Sequence, residues 1–234
     1  MTVLDITLLA FSRIESKLLP LGTDPNDLES NDYKSYKPIM ASTVVLLVSD
    51  SNFFHRSRAG TSVFDLVRAS TTEVACYGIW ERKLCKVTPK LDDMLRFTHA
   101  LGVHDVMVIL CLGQHDVLDN QHERLGGAVG KLAALVEKYQ TKLVVVELFD
   151  HSDFSASNEG YAIGVAQLNL LWKHEAWTDA SLGVVSTSFI RDHLFINDQM
   201  HLNPEGMNML ASVLIARIID FCLPHLPPGE LHVS

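Results

Sequence analysis

The sequence predicts an α/β fold, a three-layer doubly wound domain around a parallel sheet of about five strands. Two observations predict it. From residue 43 onward, short β-branched runs alternate with longer segments of helical period. The runs VVLLV, VMVIL and LVVVEL are also almost uninterrupted by polar residues, as strands covered by helices on both faces require. With 234 residues, 47% hydrophobic and 20% charged, the chain has enough apolar material for one core, which excludes disorder as its main state.

Residues 1–42 stand apart. Thr2 to Leu19 suits a short amphipathic helix, with Leu8, Leu9, Ile14, Leu18 and Leu19 partly on one face. The following LGTDPNDLESNDYKSYKP has the Asp, Asn, Ser and Pro content of a linker. This extension reads as a surface arm, or alternatively as an element for homo-oligomerisation or protein-partner docking. The α/β domain is expected over 43–226, with a tail at 227–234. Its predicted strands are Thr43–Val48, Glu73–Tyr77, Asp105–Leu110, Lys142–Leu148 and Gly183–Thr187. Helices are predicted between and after them, near 60–69, 88–101, 121–139, 160–177 and 204–222. The sequence contains no internal repeat and no second core.

A net charge of −9 disfavours nucleic acid as a partner, because the chain as a whole repels phosphate. The four cysteines, Cys76, Cys85, Cys111 and Cys222, form no C-x-x-C pair and no Cys/His cluster of metal-binding spacing. That pattern implies a reducing, cytoplasmic setting and no metal. Asp5 interrupts the apolar stretch near the N-terminus and no basic segment precedes it, so no signal peptide is read. No apolar run approaches the ~20 residues of a membrane span. Neither phosphate-binding glycine motif follows a predicted strand, and Gly126 to Gly130 falls inside a predicted helix, so no nucleotide cofactor is expected.

In such sheets function gathers beyond the carboxyl ends of the strands. Ser49-Asp50-Ser51-Asn52 follows the first strand, and Leu112-Gly113-Gln114-His115-Asp116 the third. After the fifth comes the segment from Asn197 to Gly206, with Asp198 and His201. Three polar clusters thus converge on one sheet edge. A serine hydrolase needs a hydroxyl, an imidazole to take its proton and a carboxylate to orient that imidazole. Ser51 at a strand-to-helix turn is the candidate nucleophile, His201 the base and Asp198 its orienter. The bland alternatives are a helix-capping serine and ordinary loop polarity. The G-x-S-x-G elbow of the α/β-hydrolases is absent.

These blocks resemble the SGNH, or GDSL-type, hydrolases, whose fold belongs with flavodoxin-like architectures. The family's G-D-S block is similar to Ser49-Asp50-Ser51, and its D-x-x-H block to Asp198 through His201. HLNPEGMNMLASVL resembles the run that comes after that histidine. The G-x-N-D block resembles Gly113-Gln114-His115-Asp116, with histidine in the asparagine's place. The resemblance covers about residues 43–222 and implies an ester hydrolase acting on a small ester or acylated substrate. It also implies an oxyanion hole built from the Ser51 amide, a block-two glycine and the block-three side chain. Glu81 falls at the block-two position, with Gly78 the alternative, and His115 at the block-three position, backed by Gly113. Asp50, Asn52, Phe53, Trp80 and Glu81 are the candidate pocket residues. His55, Arg56 and Arg58 add positive charge just after Ser51. The altered blocks also suit a second reading, a catalytically weak or inactive domain of this fold serving as a protein- or RNA-binding scaffold.

Overall fold

The computed structural model describes residues 43–57, 60–71, 74–149, 159–198 and 200–222. The expected N-terminal helix and linker, and the tail at 227–234, lie outside the described residues. Five parallel strands form one sheet: β1 (Thr43–Ser49), β2 (Ala75–Trp80), β3 (Asp105–Cys111), β4 (Lys142–Val146) and β5 (Leu182–Val185). Their spatial order is β2-β1-β3-β4-β5. The helices are α1 (Ser51–Phe54), α2 (Val63–Ser70), α3 (Leu84–Ala100), α4 (Gln114–Leu118), α5 (His122–Lys138), α6 (Glu159–Thr178) and α7 (Pro204–Cys222).

Strand β1 explains why its sequence lacks alternation. Val44, Leu46 and Val48 pack with α3, α5 and α6, whereas Val45 and Leu47 pack with α2 and α7. All five are fully buried, so neither face tolerates a polar side chain. The chain winds outward from β1 to β2, then crosses back to β3 and continues to β5. The direction of winding therefore reverses between β1 and β3, and the crevice at such a switch point lies beyond their carboxyl ends.

Several predicted boundaries move, β5 among them, which ends at Val185 and not Thr187. Strand β2 runs three residues past the expected Tyr77, because ACYGIW is a half-buried edge strand without an aliphatic run. Helix α3 begins four residues before the expected start. Asp116 Oδ2 accepts the Leu84 amide at 2.7 Å, a cap supplied from 32 residues away, and Pro89 stands inside the helix. Strand β4 ends at Val146, and the buried Glu147 that comes next pairs with Lys173 of α6 at 2.6 Å. Among the described residues, no helix is long and apolar enough to cross a membrane.

Candidate active site

The site begins where β1 and β3 end. Ser49 and Cys111 are opposite one another, and the Ser49 hydroxyl donates to the Cys111 carbonyl at 2.9 Å. Past this tie, β1 turns into α1 and β3 into α4. Asp50 caps α1 by accepting the Asn52 amide at 2.9 Å, which turns the chain sharply and leaves Ser51 at the rim. Asn52 Nδ2 then donates to Gln114 Oε1 at 3.0 Å and locks the two turns together.

The third element is the segment before α7. Phe195 and Leu202 form an isolated antiparallel bridge, closed by the Ile196 amide on the His201 carbonyl at 2.9 Å. Asn203 anchors its base: its amide donates to the Leu194 carbonyl and its side chain to the His193 carbonyl. Inside this turn Asp198 Oδ1 accepts the amides of Met200 and His201, both at 2.9 Å. That leaves Oδ2 directed at the His201 ring, 2.6 Å from Nδ1, while Nε2 lies 2.7 Å from Ser51 Oγ. Side chains 150 residues apart in sequence thus form one hydrogen-bonded line from carboxylate to imidazole to hydroxyl.

The electrostatics are graded along this line. Burial, the largest influence on Asp198, would raise its pKa. The hydrogen bonds from the His201 ring and from the His201 and Met200 amides outweigh it and hold the carboxyl below the usual range. Asp50 behaves oppositely. It is buried, and desolvation pushes its pKa up to about 6 despite the Asn52 amide. Its Oδ2 has no partner among the described residues. Asp50 thus fixes the turn from behind and does not line an open pocket.

The remaining predicted site residues have different surroundings. Phe53 is fully buried in the core between the sheet and α2/α7, which corrects its assignment to the pocket wall. Gly78 lies within β2 opposite Leu47, and a Cβ there would stand 2.6 Å from Phe54 Cε1. Its lack of a side chain lets the Phe54 ring of α1 approach β2 closely. Glu81 is turned toward α3: Lys90 Nζ lies 2.6 Å from its Oε2, and the Arg82 amide donates to Oε1 at 2.8 Å. These contacts overcome burial and keep its carboxyl below the usual range, so its charge is compensated locally.

The other predicted residues lie at or near the rim. Trp80 is the half-buried last residue of β2, opposite Ser49. Asn52 is buried in the tie to Gln114. Gly113 enters α4 at φ 123°, a backbone conformation that side chains rarely adopt, and a Cβ there would meet Leu168 Cδ2. His115 is lowered in pKa by burial and by the Arg82 charge, with Asp119, Asp116 and Lys83 also acting on it. No charge of the Asp198–His201 pair is among those influences.

Sequence reasoning passed over Gln114. It is buried, its Oε1 is held by Asn52, and its Nε2 end is left without a protein partner among the described residues. Also unforeseen is His55, whose ring stacks on His201 with centroids 4.1 Å apart and planes inclined by 21°. Among the described residues no group of His, Cys, Asp and Glu could hold a metal ion.

No protein-family model and no curated protein matches the sequence. Solved structures do. Est24, a carbohydrate acetylesterase from Sinorhizobium meliloti, is 17% identical, covers 76% of this chain and 99% of its own, and superposes with a TM-score of 0.56. A family 3 carbohydrate esterase from Clostridium thermocellum is 16% identical, covering 79% and 100%, with a TM-score of 0.58. A member of the lipolytic G-D-S-L family from Veillonella parvula is 14% identical, covering 74% and 97%, with a TM-score of 0.55. The parallel sheet in β2-β1-β3-β4-β5 order, with its helices on both faces, is therefore the SGNH, or GDSL-type, hydrolase fold.

Proposed function

We propose that the protein is a serine ester hydrolase in which Ser51 is the nucleophile, His201 the general base and Asp198 the residue that orients His201. The observation that carries this reading is the line Asp198 Oδ2–His201 Nδ1–Nε2–Ser51 Oγ, with separations of 2.6 and 2.7 Å. The carboxylate accepts from Nδ1–H, which leaves the Nε2 lone pair facing the hydroxyl, the tautomer a base requires.

Ser51 Oγ attacks the acyl carbon as its proton passes to Nε2. The imidazolium then returns that proton to the departing alkoxide, leaving an acyl-serine and a free alcohol. Water attacks the acyl-serine with Nε2 again taking a proton, and release of the acid restores Ser51. Stabilising the oxyanion requires donors aimed at the attacked oxygen. The Ser51 amide makes no hydrogen bond within the described residues and stands at the start of α1. Gln114 Nε2, on the neighbouring strand end, supplies the side-chain donor in place of His115. The neighbours named as carbohydrate esterases point to a short acyl group, such as acetyl, on a hydroxylated leaving group.

Hydrolysis of a short-chain aryl ester by wild type and Ser51→Ala tests this reading. Ser51-dependent turnover is expected. Equal rates for the two proteins would overturn it.

A further inference from the structure

The Asp198–His201 pair is partly open to solvent. The His201 side chain is 22% exposed and that of Asp198 42%, so water has access to both partners. The hydrogen bond to Oδ2 fixes the position of Nδ1 but leaves the ring free to tilt about that contact. Tilt is limited by whatever covers the ring faces, and one face is covered by His55.

Resting on the hydrolase reading, we infer that His55 is a positioning residue: its ring lies under the His201 imidazole and holds it in the plane that joins Asp198 to Ser51. The local chain supports this. His55 comes four residues after Ser51 at the end of α1, and its amide donates to the Ser51 carbonyl at 2.6 Å. One turn of backbone therefore carries both the hydroxyl and the ring that braces its base, so the two cannot drift independently.

The pair also has a defined division of charge. The groups facing His55 are His201 and Asp198 from the turn before α7, while its neighbour Arg56 is engaged with Asp65 of α2 at 3.8 Å. Burial and the nearby His201 both lower the His55 pKa, against the pull of Asp198. His55 consequently offers an uncharged π-face when His201 becomes an imidazolium, and stacked or cation–π contact favours that cation. The Asp198 carboxylate is hydrogen-bonded to the His201 ring.

The test compares wild type with His55→Ala and His55→Phe. The kcat of His55→Ala is expected to fall about 3- to 10-fold, matching the loss of one aromatic contact. His55→Phe restores the stack and should recover to within about 2-fold of wild type. In nuclear magnetic resonance spectra, the His201 ring protons should move downfield in His55→Ala as the neighbouring ring current is lost, and stay near their wild-type position in His55→Phe. His201 resonances unmoved in His55→Ala, or His55→Phe as slow as His55→Ala, would overturn the inference. The spectra do not depend on turnover. Shifted resonances in a protein without Ser51-dependent hydrolysis would sink the hydrolase reading and leave the brace standing.

Discussion

Replacing Asp198 by asparagine keeps its shape and removes its charge, and the turn before α7 dictates the consequence. Oδ1 accepts two amides, from Met200 and His201, both at 2.9 Å. Asparagine must keep its only oxygen there, since the other orientation would set its NH₂ group against two backbone donors and forfeit both bonds, roughly 1 kcal/mol each. Its nitrogen then faces His201 Nδ1 across the 2.6 Å contact. Two donors cannot share that contact, so Nδ1 becomes an acceptor and the ring proton moves to Nε2. Nε2 then donates toward Ser51 instead of accepting its proton. A base in the wrong tautomer lowers kcat by about 10⁴, roughly 5 kcal/mol of barrier. Steady-state hydrolysis of a short aryl ester reads the rate, and ¹⁵N shifts of the His201 ring read the tautomer. Thermal stability should change little, because both backbone bonds survive. An Asp198→Asn protein within about 3-fold of wild type would refute the reasoning, as the expected fall is orders of magnitude larger.

The same geometry sets three further outcomes. Gln114→Ala should lower kcat by about 10²–10³ with KM little changed, whereas His115→Ala should leave kcat within about 3-fold; the reverse ranking would return the oxyanion role to His115. Asp50 holds its proton more tightly folded than unfolded, with a pKa of about 6 against 3.8. Its burial therefore removes stability as pH rises from about 4 to 6, by about 3 kcal/mol in all. Urea unfolding at pH 4 and pH 7.5 should show Asp50→Asn gaining on wild type by most of that amount across the window; a constant difference between the two proteins would contradict it. Gly206→Ala would place a Cβ 2.6 Å from the Leu194 carbonyl oxygen, a backbone atom that no rotamer change can move. It should destabilise by about 1–3 kcal/mol and lower kcat too, because Leu194 and Leu202 flank the turn bearing Asp198 and His201; a normal melting temperature and rate would count against that coupling.

The strands were the most legible part of the chain because burial on both faces erases polar residues from them, as in Val44 to Val48. Ser51, Asp198 and His201 were legible for a topological reason. Parallel strands deliver their carboxyl ends to one edge, so polar clusters after β1, β3 and β5 had to meet there. Other features depend on contacts that no local pattern encodes. The start of α3 is set by Asp116, and the extent of β2 by edge pairing with β1. His115 and Gln114 are adjacent, and only the grip of Asn52 on Gln114 Oε1 singles one of them out. Phe53 and Gly78 were plausible site residues by proximity in sequence to Ser51 and the block-two position. The packing of α1 against β2 and α2 instead gives Phe53 to the core and sets Gly78 against the Phe54 ring. His55 read as part of a positive cluster, while its stacking on His201 exists only once the chain's two ends of the site have met.

The central claim is that the Ser51 hydroxyl is activated by His201, and reaction with an active-site-directed fluorophosphonate measures that activation without any assumption about the natural ester. Intact-mass analysis after labelling should show a single phosphonyl adduct on wild type, mapped by peptide sequencing to Ser51, and none on Ser51→Ala; His201→Ala should label far more slowly. A wild-type protein that stays unlabelled, or one labelled as readily without Ser51 or His201, would contradict the account.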